Sequence, residues 1–502
     1  MTSVAVVLGA KGGNVLQELA QARAMDDRIC TVNLSARKIG ARAASELVDA
    51  LRANESITSV DCSLNPELKD EGAEALVPAL RADGTGISSV RYLSLMRCGV
   101  GDTGATALAH GLRGNSALER LNLTGNRIGN TGVLALMDSL VGPSAGFLLD
   151  LWLNSNSIGP AGGKGVGAAL ANSPALRQLH LTGNALGNVG VAALVKGAVA
   201  GGGLQGLYVG GCGVGNTGAK EIANSLKSSM HLETLCLGYN SIGDDGASAL
   251  ARALAENCAL KRFLLPCNGL KAPGGRAIAA MLLSNRALLC LDISNNPLGA
   301  TGIVSVASAI AKNATLLELD LSTCGGTDAS FQAVMKAVEV NNTLGVLLCT
   351  GNHLSIASLA EIEFAMGRPK RSVRELVGQV KQATDTQEFL SKRMETGIKV
   401  VSVSHGGGPS VQLAPGQETS IQVSFGRKDN TIGSVTVTNE TCLEEARCLI
   451  DPLLRPSDRT YSFVSAVGGV VPLEEEQARR VVWDCRVPVQ LRPANWVAIG
   501  HV

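Results

Sequence analysis

Rings are the scarcest recognition chemistry in this chain. Aromatic residues make up 3% of its 502 residues, as three Trp, four Tyr and seven Phe. Yet Trp152, His180 and Tyr208 follow one another at equal intervals along the sequence. Rings offer large contact area at low entropic cost and dominate binding hot spots, with Arg as a frequent companion. Tyr92, Tyr239, Arg91, Arg97, Arg120 and Arg177 therefore join the row as candidate partner-binding residues. Asp292, Glu318 and Asp320 add an acidic group further along the chain. Other chemistry leaves weaker marks. The six His residues do not pair at metal-ligand spacing, no H-E-x-x-H string occurs, and the 13 Cys include no C-x-x-C pair. The glycine-rich string Gly9-Ala10-Lys11-Gly12-Gly13 lacks the G-x-x-x-x-G-K-[ST] order that cradles phosphates. No catalytic residue, metal site or cofactor is expected.

What must position the rings is an internal repeat. The string LERLNLTGNRIG from Leu118 returns at Leu148, Leu176, Leu204, Leu232, Leu260, Leu288, Leu316 and Leu344, and from Leu148 onward the step never changes. Looser copies start at Ile29, Ile57 and Val90, which makes 12 copies between Ile29 and about Ser355. The L-x-L portion alternates and predicts a strand buried on one face. The ninth position is Asn in eight copies (Asn65, Asn126, Asn156, Asn184, Asn240, Asn268, Asn296 and Asn352), Cys in three (Cys98, Cys212 and Cys324) and Arg37 in the first. An Asn amide donates and accepts at once, so stacked Asn residues can satisfy the backbone of a turn, and Cys fits the slot as a small substitute. The second half of each copy predicts a helix, with Gly near its start (Gly104, Gly132, Gly218, Gly246 and Gly302) and Leu pairs such as Leu108 with Leu112.

The frame L-x-x-L-x-L-x-x-N/C-x-L resembles the leucine-rich repeat, and its 28-residue period with a helical half resembles the ribonuclease-inhibitor-like class. The resemblance implies an α/β solenoid, a curved parallel sheet inside and helices outside, acting as a surface for protein partners. Outward strand positions then carry the specificity. The fifth position reads Asn33, Asp61, Ser94, Asn122, Trp152, His180, Tyr208, Cys236, Leu264, Asp292, Asp320 and Leu348. Adjacent strands lie about 4.8 Å apart, so the three rings are expected as one row on the concave face, basic on its N-terminal side and acidic at the other end.

The expected organisation is an N-terminal cap over 1–28, a solenoid over 29–355, a C-terminal cap with linker helices over 356–397 and a small β-rich domain over 398–502. The linker carries a basic run at Arg368, Lys370, Arg371 and Arg374. The last segment reads as strands at Ile398–Ser404, Thr419–Phe425 and Ser434–Thr438, a helix over Cys442–Leu454, and strands at Thr460–Val464 and Val487–Leu491. That order resembles a ubiquitin-like β-grasp domain, with a small β-sandwich as the rival. Lys plus Arg is 44 and Asp plus Glu 43, so no overall field draws the chain to nucleic acid or to a membrane. With no secretory leader and no long uncharged apolar run, the expectation is a cytoplasmic, non-enzymatic scaffold or adaptor for a protein partner. Two rivals stand beside it. One is a GTPase activator of the Ran type, a family with similar repeats but also an acidic tail and a catalytic arginine that find no match here. The other is a structural subunit of a cytoskeletal or ciliary assembly.

Overall fold

The computed structural model describes residues 4–6, 29–355 apart from short breaks at 55, 82–88, 143–144 and 174, residue 358, and five strands between 401 and 493. The glycine-rich string at Gly9–Gly13, most of the expected N-terminal cap, the basic run from Arg368 to Arg374 and the expected helix over Cys442–Leu454 lie outside the described residues.

The chain divides into two compact units, the first holding residues 1–270 with 280–288, the second 271–279 with 289–502. In the first unit the strands are β1 (Val4–Val6), β2 (Ile29–Asn33), β3 (Ser59–Asp61), β4 (Tyr92–Ser94), β5 (Arg120–Asn122), β6 (Asp150–Trp152), β7 (Gln178–His180), β8 (Gly206–Tyr208), β9 (Thr234–Cys236) and β10 (Arg262–Leu264). Each pairs in parallel with the next, in chain order. β1 adds a strand ahead of the first repeat that the frame does not reveal. In the second unit β11 (Cys290–Asp292), β12 (Glu318–Asp320) and β13 (Val346–Leu348) pair in the same way. A helix follows each of β2 to β12, as at Asp102–Leu112 after β4 and Pro160–Leu170 after β6.

Each three-residue strand from β3 to β13 buries its central residue. Leu121, Leu151, Leu179, Leu207, Leu235 and Phe263 are 0% exposed, and burying one such side chain is worth about 1.5–3 kcal/mol. Behind them lie helix residues such as Leu108, Leu136, Val166 and Leu250. The two residues flanking each central Leu point the other way, and those positions carry the candidate site.

Three sets of polar side chains join one repeat to the next. The ninth-position Asn forms the expected ladder. Asn126 Nδ2 donates to Leu95 O at 2.8 Å and Leu123 O at 2.9 Å, while its Oδ1 accepts from Cys98 N and Val100 N, both at 3.0 Å. Where Cys takes the slot, its thiol donates to the same upstream carbonyl, as Cys212 Sγ does to Leu181 O at 3.3 Å. A second Asn set closes the helix ends three residues before the frame's first Leu. Asn257 Nδ2 reaches Leu226 O at 2.8 Å, and its Oδ1 receives Ala259 N and Leu260 N. A third set opens the helices. Asp70 Oδ1 accepts from Gly101 N at 2.6 Å and Gly104 N at 3.0 Å in the following repeat, and Asp102 repeats this with Gly129 and Gly132. This close approach explains the helix-start glycine, since a Cβ at Gly104 would stand 2.6 Å from Asp70 Oδ1.

The C-terminal strands are β14 (Val401–His405), β15 (Glu418–Phe425), β16 (Thr431–Thr438), β17 (Tyr461–Val464) and β18 (Gln490–Pro493), in the order β16-β15-β14-β18-β17, with every pair antiparallel.

Candidate partner-binding site

The register of β5 to β9 sets the ring row. Asn122 faces Trp152, Trp152 faces His180, His180 faces Tyr208 and Tyr208 faces Cys236. The rings stack. Trp152 and His180 have centroids 5.3 Å apart with planes 20° from parallel, and His180 and Tyr208 are 4.1 Å apart at 6°. All three are half-buried. Enclosure between two rings removes water from the imidazole and lowers the His180 pKa to about 3, so His180 is neutral at physiological pH.

The other candidates in the first unit surround this row unevenly. Arg120, exposed on β5, places its guanidinium carbon 5.6 Å from the centroid of the Tyr92 ring, within cation–π range. Arg91 pairs with Glu119 at 2.8 Å across neighbouring repeats. Arg177 donates to Gly203 O at 3.0 Å. Arg97 lies along the next repeat, where a Cβ at Gly125 would meet its Cγ at 2.7 Å. Tyr239 is half-buried, and its hydroxyl is enclosed without a hydrogen-bond partner.

Arg97 and Tyr239 share a feature that the frame does not reveal. The eighth position of every repeat is left-handed, with φ between 51° and 73° from Ala36 to Gly351. Four copies use Gly there (Gly125, Gly183, Gly211 and Gly351). The others hold a side chain in a conformation that costs about 1 kcal/mol or more.

The acidic candidates belong to the second unit. Asp292 on β11 faces Asp320 on β12, and Glu318 lies two residues before Asp320 on the same strand. The Asp292 and Asp320 carboxylates accept from Ser294 N at 2.9 Å and Ser322 N at 2.8 Å. Burial, and then the charge of Asp292, raises the Asp320 pKa well above the usual carboxylate range.

Two further residues border the row at the third frame position. Asp150 sits two residues before Trp152, and Gln178 two before His180; the two face each other in register. The Gln178 Oε1 is buried without a donor. Position alone would have found them, because the third and fifth positions share a face. Another string, Gly142-Pro143-Ser144-Ala145-Gly146, has the G-x-S-x-G order of a nucleophile elbow. An elbow needs a strand before the Ser and a helix after it. Here the helix Asn130–Asp138 comes before and β6 after, and Pro143 and Ser144 themselves lie outside the described residues. Among the described residues no His, Cys, Asp or Glu group has the arrangement of a metal site. No helix among them is long and apolar enough to cross a membrane.

No curated protein matches the sequence. Solved structures similar to parts of it include the following two. The Rad7–Elc1 complex from yeast is 15% identical with a TM-score of 0.45, covering 71% of this chain and 85% of that one. Leiomodin-1 actin-binding site 2 is 21% identical with a TM-score of 0.26, covering 35% of this chain and 97% of that one. The family described as Leucine Rich repeat matches residues 53–77, 87–109, 114–137, 172–195, 228–251 and 284–307. Each match contains one copy of the frame, beginning at Ile57, Val90, Leu118, Leu176, Leu232 or Leu288, so the family's repeat falls on six of the twelve copies.

Proposed function

We propose that the protein is a non-enzymatic interaction scaffold that captures a protein partner on the open strand face of its first unit, centred on Trp152, His180 and Tyr208. One observation carries this reading. Rings that serve only packing are buried, as Phe263 and Phe331 are at 0% exposure. The row instead stands on the face away from the helices, half-exposed, as a stack crossing three strands. Repeats of the ribonuclease-inhibitor-like class suit such a role, because their strand faces form a broad preformed surface. Residues 1–28 and 356–397 would cap the repeats, and 398–502 would provide a second contact module.

The test is a Trp152→Ala and Tyr208→Ala double variant of the full chain. Truncating a central ring costs about 2 kcal/mol in a binding hot spot. The expected result is at least a thirtyfold weaker dissociation constant for the partner identified with the unaltered chain, with circular dichroism unchanged. An unchanged dissociation constant overturns the reading.

A further inference from the structure

The stack fixes which part of each ring a partner can meet. At 4.1 Å and 6°, and at 5.3 Å and 20°, neighbouring rings cannot lie side by side in one plane, because their edges would overlap. They meet face to face across the strands. The faces between them are spent on each other, so the open side of the sheet presents ring edges. Those edges carry the positive side of the aromatic quadrupole. Their polar atoms lack partners. Among the described residues the indole N–H of Trp152 and the imidazole nitrogens of His180 make no hydrogen bond, yet none of them is enclosed. Neutral His180 keeps one N–H to donate. On the seventh-position side the surface drops, since Gly210 and Gly238 carry no side chain and Thr182 is 8% exposed.

The charges around the row are unbalanced. Glu119 is paired with Arg91 and Glu233 with Lys261, and Asp150 already interacts within the protein. Arg120 is different. It is exposed, and among the described residues its guanidinium meets the Tyr92 ring and no carboxylate. It stands on β5, one strand from Trp152.

We propose that the ring row takes an acidic segment of the protein partner, its carboxylates meeting the ring edges at Trp152 and His180 and the guanidinium of Arg120. A carboxylate accepts from N–H donors in charge-assisted bonds, about twice as strong as neutral ones. A cationic segment would face the positive edges and Arg120 together. A neutral one would leave Arg120 without its counter-charge.

The inference rests on the reading of the row as a partner-binding face. The probes are acetylated, amidated peptides of alternating Glu and Thr, Gln and Thr, or Lys and Thr, and a thymidine oligonucleotide of the same length, each titrated into the full chain. The indole Nε1–H resonance of Trp152, assigned by its loss in Trp152→Phe, locates binding, and calorimetry gives the affinities. The expected result is a saturable shift with the Glu peptide, which binds about fivefold or more tighter than the Gln peptide, with the Lys peptide weakest. Arg120→Gln should weaken the Glu peptide by about threefold or more, and so should Trp152→Phe, which keeps a ring but loses the donor. Circular dichroism checks that both variants stay folded, and Arg120→Gln, an exposed site, serves alone if Trp152→Phe does not. No saturable shift with the Glu peptide, equal binding of the Gln peptide, or no effect of Arg120→Gln overturns the acidic segment while the ring-row reading stands. Tighter binding of the oligonucleotide than of the Glu peptide overturns it in favour of a nucleic acid. If the double ring variant keeps full affinity for the protein partner, both readings fall.

Discussion

At the residue scale the ninth-position slot is the most demanding in the repeat. Asn240 is 8% exposed and serves two repeats at once. Its Nδ2 donates to Val209 O at 3.1 Å and Leu237 O at 2.9 Å, and its Oδ1 accepts from Cys212 N at 3.0 Å and Val214 N at 2.9 Å. Asn240→Ala strands these groups, at about 1–3 kcal/mol for each one left buried and unpaired. The expected loss is about 3 kcal/mol by urea midpoint, and Asn240→Cys should lose clearly less, because a thiol in this slot keeps the upstream bond. Equal losses would show that the Asn amide is not what holds the turn. The Asp292–Asp320 pair makes an opposite prediction. A raised carboxyl pKa means that the folded state favours the protonated form, so the cost of ionising Asp320 grows as pH rises past the ordinary value of 3.8. Asp320→Asn should therefore stabilise the protein at pH 8 and have little effect at pH 4. A gain independent of pH would point to packing instead of charge.

At the element scale, helices pack as closely as glycine permits. Helices Pro160–Leu170 and Gly187–Gly201 meet backbone to backbone, and a Cβ at Gly197 would stand 1.8 Å from the Gly167 carbonyl oxygen. Backbone cannot move aside as a side chain can. Gly197→Ala should thus cost about 3 kcal/mol, the upper end of ordinary overpacking. Gly345→Ala is the control, since its nearest neighbour would be Leu317 O at an ordinary 3.8 Å. Similar thermal midpoints for the two variants would sink this account. The helix starts follow the same logic across repeats, with Asp70 and Asp102 capping the helix that follows their own.

At the scale of the whole molecule, repeats interact mainly with their neighbours, so stability is close to a sum of local terms. Gly197 belongs to the first unit and Asp320 to the second. The effects of Gly197→Ala and Asp320→Asn should add within about 0.5 kcal/mol in a double variant, as distant sites do. Strong coupling in denaturant titrations would mean that the two units unfold through a shared element. The scarcity of rings also takes its meaning at this scale. A core of Leu, Val, Ile and Ala repeated along the chain needs few of them, which leaves the row as surface chemistry.

Much of this was legible in the residues themselves. The constant period placed Trp152, His180 and Tyr208 on adjacent strands, because a parallel ladder in regular register turns equal sequence spacing into neighbouring positions. The Leu frame determined the buried face, and the Asn and Cys slot announced its ladder through residue type. The second Asn set was legible in principle, since Asn115, Asn257, Asn285, Asn313 and Asn341 each stand three residues before a frame Leu. Three matters were settled only by the tertiary structure. The eighth position is left-handed in all repeats, yet residues as different as Leu64, Arg97, Ser155 and Tyr239 occupy it, because the closing of the turn imposes that conformation on whatever side chain is present. The helix caps pair residues of neighbouring repeats, which no pattern within one repeat can express. The row became a stack with a neutral His180 because ring orientation and loss of water depend on how the adjacent side chains pack.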